Sequence, residues 1–222
     1  MTQNLIPVIA IDGPSASGKG TVAQRVADAL GFHYLDSGAI YRLTALAAQQ
    51  QGVSWSDEDA VSSVAQYLDV VFDGEAILLA GVDVSNTIRS EEIGSGASQI
   101  AALPKVRAAL LARQQAFAKV PGLVADGRDM ASVVFPAAPL KIFLTASAAA
   151  RAERRYKQLI ARGETANLAV ITADLEARDA RDRARSVAPL AQAPDAYLLD
   201  TTEMDIDSAV KQVLTWWTKK LK

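Results

Sequence analysis

Two hydrophobic rhythms alternate along the chain. Short apolar, partly β-branched runs have the length and continuity of strands buried on both faces: VIAID after Pro7, LVAD at 123–126, LKIFLT at 140–145 and YLLDT at 197–201. Segments at 19–30, 37–51, 104–118, 147–161, 170–185 and 205–221 repeat their apolar positions every three to four residues, which predicts helices. Strand and helix in alternation predict an α/β fold, a parallel sheet with helices on both faces. The rhythm breaks at residues 68–84, LDVVFDGEAILLAGVDV, where two apolar runs flank Asp73-Gly74 and a third follows Gly81. That is a hairpin signal, so a small antiparallel insert is predicted. It lies between a helix starting near Ser56 and another capped by Ser90, with Glu91 and Glu92 in its first turn. In the last helical segment Val210, Val213, Leu214, Trp217 and Leu221 form an apolar stripe that reads as core packing rather than a membrane or partner contact.

Composition narrows the chemistry. A chain of 222 residues that is 50% hydrophobic can bury a core, as one domain or as a core with an insert. A formal net charge of -2 supplies no general field for nucleic acid, so any cationic site must be local. The absence of cysteine excludes disulfides and thiolate sites, and fits a reducing cytoplasm. With His33 as the one histidine, a Ser-His-Asp triad or a His-rich metal site is nearly excluded, and His33 reads as packing at a strand start. No apolar run approaches the ~18 residues of a membrane span and no leader pattern opens the chain, so a soluble, unprocessed protein is expected. There is no internal repeat or low-complexity tract.

The stretch IAIDGPSASGKGTVAQRVADAL, Ile9–Leu30, places a glycine-rich turn between a predicted strand and a predicted helix. Gly13 and Gly18 let successive N–H groups face an anion, and Lys19 adds a cation at the positive end of the helix. Gly13, Pro14, Ser15, Ala16, Ser17, Gly18, Lys19, Gly20 and Thr21 are thus the candidate triphosphate loop. Such loops usually carry Ser or Thr after the lysine, as a metal ligand; here Gly20 stands there. Either the loop handles no metal nucleotide, or the metal finds its oxygens elsewhere. The asparagines at 4, 86 and 167 precede Leu, Thr and Leu, so the Asn-Lys-x-Asp guanine reader of GTPases is absent. Asp126 precedes Gly127 rather than Glu, unlike motor-type ATPases, and a small-molecule kinase remains.

Three further groups carry candidate chemistry. Ser37 and Arg42, at and near a helix start, can hold a phosphate or sugar, or be an ordinary N-cap and a solvated arginine. Asp126 ends a strand expected beside the loop strand, where carboxylates are often functional, although a structural turn acid fits as well. Arg178, Arg181, Asp182 and Arg185 share one helical face, Arg151, Arg154 and Arg155 cluster on the preceding helix, and ARGETANLA joins the two. This suits a lid closing on phosphates. The alternative, solvated arginines paired with Glu153, Glu176 or Asp179, is assigned to Arg151 and Arg183.

Gly18-Lys19-Gly20-Thr21 resembles nucleoside monophosphate kinases. LDSGAIYR (35–42), ASQIAALPKVR (97–107), ADGRDMASVVFP (125–136) and RDARDRARSVAPL (178–190), in that order, closely resemble bacterial cytidylate kinases. The resemblance implies a P-loop parallel-sheet core, about 1–55, 104–155 and 186–222. It further implies a monophosphate-binding region with the β insert, about 56–103, and a short helical lid, about 156–185. The implied activity is transfer of the γ-phosphoryl group of ATP to CMP or dCMP with Mg²⁺, by a cytoplasmic, monomeric enzyme that needs no nucleic acid or membrane. The implied CMP-binding residues are Ser37, Tyr41, Arg42, Ser98, Arg107, Arg128, Asp129, Arg178, Asp182 and Arg185. Of these, Ser98, Arg107 and Asp129 would lie at the base, with Arg107 donating to it and Asp129 accepting from it, Arg178 and Asp182 would read the sugar, and Arg42, Arg128 and Arg185 the phosphate. Lys19, Arg128, Arg154, Arg155 and Arg185 would serve catalysis. Asp126 would hold Mg²⁺ through water, with Asp36 a weaker candidate. A kinase for another small acceptor, and a nucleotide-binding module without turnover, are the competing readings.

Overall fold

The computed structural model describes residues 6–73 and 76–220. The chain divides into two compact units, one formed by Met1–Leu35 with Phe117–Lys222, the other by Asp36–Ala116.

The first unit carries the main sheet. Its order is β2 (His33–Asp36), β6 (Leu123–Gly127), β1 (Val8–Asp12), β7 (Leu140–Thr145), β8 (Tyr197–Asp200). The pairings β6–β1, β1–β7 and β7–β8 are parallel, with Ile11 opposite Asp126 and Asp12 opposite Gly127. Every residue of β1 and β6 is buried, which explains their unbroken apolar runs. Helix α1 (Lys19–Leu30) buries Val22, Ala23, Val26 and Ala27, and α8 (Ile206–Lys220) buries Ala209, Val210, Val213 and Trp217. Both join Ile9, Ile11, Ile142 and Leu144 in one core, with Leu214 packed against it and Trp217 meeting Phe32 edge to face at 5.8 Å. The carboxy-terminal stripe is therefore core, as expected; Leu221 lies outside the described residues. Helices α6 (Ala148–Ala161) and α7 (Leu168–Arg183) pack on each other through Ala152, Leu159, Ile171 and Leu175, and Ala16 of the loop packs against that cluster.

The structure departs from the sequence expectations at three places. Strand β2, only four residues long, is not one of the apolar runs that predict the sheet. His33 does open that strand but is exposed, its ring meeting the Val120 carbonyl at 3.0 Å. Helix α7 ends at Arg183, so Arg185 follows the helix instead of extending its face.

The second unit contains α2 (Ser37–Gln50) packed on α4 (Glu91–Ile100), and α3 (Glu58–Gln66) packed on α5 (Pro104–Gln115). Asp57 caps α3, accepting from the Ala60 N–H at 3.0 Å, and Ser90 caps α4, accepting from Ile93 at 3.3 Å. The predicted insert is a three-stranded antiparallel sheet of β3 (Val70–Asp73), β4 (Ala76–Leu79) and β5 (Val82–Asp83), with Asp73 opposite Ala76. Gly74, the glycine of the hairpin signal, lies outside the described residues.

Candidate active site

The loop between β1 and α1 is shaped by two glycines for different reasons. A Cβ on Gly13 would stand 2.0 Å from the Leu144 carbonyl oxygen, so close approach to β7 demands glycine there. Gly18 has φ +90°, a conformation other residues rarely adopt. Gly18 provides no side-chain cap for α1, which suits first-turn N–H groups that face an anion. The Lys19 ammonium donates to the Pro14 carbonyl at 3.5 Å and stands 4.0 Å from Asp126 Oδ1.

The surroundings of Gly20 bear on the missing hydroxyl. A Cβ there would lie 3.5 Å from Tyr34 Oη and 3.7 Å from Asp126 Oδ2. Tyr34 donates to that carboxylate at 2.6 Å. A phenol and a carboxylate thus occupy the region toward which a loop hydroxyl would point. Among the described residues no cluster of three or more metal-ligating side chains exists. One buried carboxylate beside the loop fits Mg²⁺ held chiefly by nucleotide phosphates and their attendant waters. Asp36 caps α2 in the other unit, its Oδ1 accepting from the Ala39 N–H at 3.0 Å.

Arginines and acids from distant parts of the chain converge on the loop. Arg128 Nε donates to Asp182 Oδ2 at 2.9 Å, Nη1 to the Gly127 carbonyl at 3.2 Å and Nη2 to Ser15 Oγ at 2.8 Å. Arg185 Nη2 pairs with Asp182 Oδ1. Burial opposes ionisation of Asp182, but Arg128, Arg185 and Arg178 together outweigh it and hold its pKa below the ordinary carboxylate range. Asp182 thus pairs with Arg128 and Arg185, and Arg178, one turn earlier on α7, adds its charge. Arg181 is exposed, and Asp179 occupies the buried position instead.

Arg151, read from the sequence as solvated, is 4% exposed. It does pair with Asp179, at 2.6 Å, but inside the protein, where its Nη1 also donates to the Ser15 carbonyl at 3.1 Å. A charge run looked like a wet surface because its partner, the loop backbone, lies 136 residues away. Arg154 donates to the Ser17 carbonyl at 3.0 Å and to Thr201 Oγ1 at 3.1 Å, and Arg155 to Gln158 at 3.4 Å along α6.

In the second unit Ser37 is buried in the first turn of α2, with Asp36 rather than Ser37 as the cap. Arg42 donates to the carbonyls of Ile88 at 2.7 Å and Ser90 at 3.2 Å, so it is not a solvated arginine. Arg107, Tyr41 and Ser98 are all buried, with Arg107 Nη1 donating to the Ala101 carbonyl at 3.3 Å and to Tyr41 Oη at 3.5 Å.

Comparison with known proteins decides the family. The family model described as cytidylate kinase matches residues 9–219. The chain belongs to the cytidylate kinase family. It is 63% identical to the cytidylate kinase of Chromobacterium violaceum over 97% of each chain. It is also 62% identical to that of Neisseria meningitidis serogroup C, over 95% of this chain and 96% of that one. With the cytidylate kinase of Cupriavidus necator it shares 59% identity over 96% of each.

In this member of the cytidylate kinase family, two side chains at the loop escaped sequence reasoning. Asp12, 3% exposed at the end of β1, accepts the N–H groups of Met130 and Ala131, each at 2.8 Å, and so pins the segment after Arg128 and the buried Asp129. Burial pushes its carboxyl up to about 7 against the pull of those two donors. An acid closing an otherwise apolar strand was the available signal. Tyr34 had no signal beyond its place in a short strand.

Proposed function

We propose that this chain transfers the γ-phosphoryl group of ATP to CMP or dCMP, giving CDP or dCDP and ADP. The observation that carries the reading is the phosphate loop with Lys19 beside Asp126, tied through Ser15 and Arg128 to the acid and arginine at the end of α7. A cationic constellation linked to a triphosphate loop is what a reaction between two anions requires.

An oxygen of the CMP phosphate forms the new bond to the γ-phosphorus as the bond to the β,γ-bridging oxygen breaks, and ADP leaves with that electron pair. The attacking phosphate is ionised at neutral pH, so no strong general base is needed. Catalysis is positioning and charge neutralisation: Lys19 and the loop N–H groups on the donor, Arg128 and Arg185 on the transferring and accepting phosphates. Mg²⁺, when bound through the nucleotide phosphates with Asp126 reaching its waters, supplies further neutralisation. Arg154 and Arg155 serve the same region, Arg154 by holding the Ser17 backbone. Closure of a lid, about 156–185, excludes the water that would otherwise hydrolyse ATP.

On this reading Ser37, Tyr41, Arg42 and Ser98 contribute to CMP binding, Arg107 and Asp129 read cytosine, and Arg178 and Asp182 read the sugar. The monophosphate-binding region is assigned to about 56–103, the core to the remainder outside the lid, and the enzyme to the cytoplasm as a monomer. No helix among the described residues is long and apolar enough to cross a membrane. A panel of nucleoside monophosphates assayed for ADP formation with ATP and Mg²⁺ tests the reading. CMP and dCMP should lead it. Preference for AMP or a sugar would move the chain to another acceptor, and binding without ADP formation would make it a non-catalytic module.

A further inference from the structure

Ser15 is 5% exposed and is gripped at all three of its polar groups. Its N–H faces Asp179 Oδ1 at 3.4 Å, its carbonyl accepts from Arg151 Nη1 at 3.1 Å, and its hydroxyl accepts from Arg128 Nη2 at 2.8 Å. The first two grips come from a single buried ion pair that joins α6 to α7, so the peptide carrying the hydroxyl has a fixed place. The Arg128 guanidinium has five N–H groups in one plane. The bonds to Asp182, Gly127 and Ser15 use three of them and set that plane, leaving two N–H groups with a defined direction.

We propose that Ser15 is a positioning residue, whose hydroxyl locks the acceptor-side arginine Arg128 to the donor loop so that the two phosphates are presented in one register. The inference rests on the reading of Gly13–Thr21 as the donor loop and Arg128 as an acceptor-phosphate arginine. Ser15 acts through Arg128. Removing its hydroxyl leaves Arg128 charged and still bonded to Asp182 and the Gly127 carbonyl, but no longer tied through its Nη2 to the donor loop. Ground-state binding then survives while alignment in the transition state suffers.

The test is a double-mutant cycle of Ser15→Ala and Arg128→Met, with steady-state kinetics on CMP and ATP and thermal unfolding of each variant. Ser15→Ala should lower kcat on the order of tenfold, the worth of a hydrogen bond to a charged group, with both KM values held within about twofold. Combined with Arg128→Met it should cost nothing beyond Arg128→Met alone, since the arginine it positions is gone. Wild-type kcat in Ser15→Ala, with or without a lowered melting temperature, would overturn the proposal and leave the hydroxyl a structural bond. Losses that multiply in the double variant would also overturn it, by showing that Ser15 acts independently of Arg128. An Arg128→Met variant with wild-type turnover would instead reject the acceptor role of Arg128, a result separable from any effect of Ser15→Ala alone.

Discussion

Replacing Asp182 by asparagine preserves size while withdrawing one negative charge from between two arginines. The Asp182 side chain is 2% exposed, and those of Arg128 and Arg185 are 15% and 6% exposed, so water can replace little of what is lost. Removing one partner of such a pair costs ~3–5 kcal/mol. Arg128 keeps the Gly127 carbonyl and Ser15 Oγ, which argues for the lower end, about 3 kcal/mol. For a chain of this size that corresponds to a melting temperature lower by roughly 6–12 °C. The pH dependence has a definite sign. A carboxyl whose pKa is lowered on folding contributes stability that is present above its unfolded value and lost as pH falls through its folded value. The gap between wild type and variant should therefore be full near neutrality and close in acid. Inorganic phosphate, which offers the stranded arginines a counter-charge, should raise the melting temperature of Asp182→Asn more than that of the wild type. Thermal unfolding at several pH values, with and without phosphate, provides all three readings. A wild-type melting temperature at neutral pH, or a gap that persists unchanged into acid, would reduce these pairs to surface contacts worth ~0–1 kcal/mol and refute the reasoning.

Lys19→Ala should lower kcat by about a hundredfold or more with its melting temperature unchanged, because Lys19 is not part of the apolar core that holds the first unit together; near-normal turnover would reject the loop assignment. Asp126→Asn should raise the Mg²⁺ concentration needed for half-maximal rate, and an unchanged titration would remove Asp126 from the metal's surroundings. Burial raises Asp12 from the ordinary 3.8 to about 7, so the folded state holds a proton that the unfolded chain has released, and this site's contribution to wild-type stability falls as pH rises between those values. The slope reaches up to ~1.4 kcal/mol per pH unit. The stability of the wild type relative to Asp12→Asn should fall across that window in chemical denaturation, and a pH-independent difference would reject the shift. If Asp129 reads the base as proposed, CMP should exceed UMP in kcat/KM, because uracil then turns the cytosine amino donor into a carbonyl facing that carboxylate, at ~1–3 kcal/mol per unpaired group. Asp129→Ala should narrow that gap, and equal wild-type values would reject the pocket.

The sequence by itself determined what depends on neighbours along the chain. Backbone periodicity marked the buried strands β1 and β6, the helices and the antiparallel insert, because side-chain direction repeats every two or every 3.6 residues, and local residue type marked the cap at Ser90. The Gly13–Thr21 loop was legible for the same reason, its glycines, lysine and helix start all lying within nine positions. Only the tertiary structure decided which partners each charge has. Ser15 meets Arg128 across 113 residues and Arg151 across 136, and Asp12 meets Met130 across 118. Those meetings follow from β6 and β7 flanking β1, an arrangement that places the ends of three separated strands beside one loop. Arg151 therefore read as solvated and Asp12 as unremarked, although both are buried. A side chain's burial and pKa are set by what the fold brings against it, and linear spacing does not encode that.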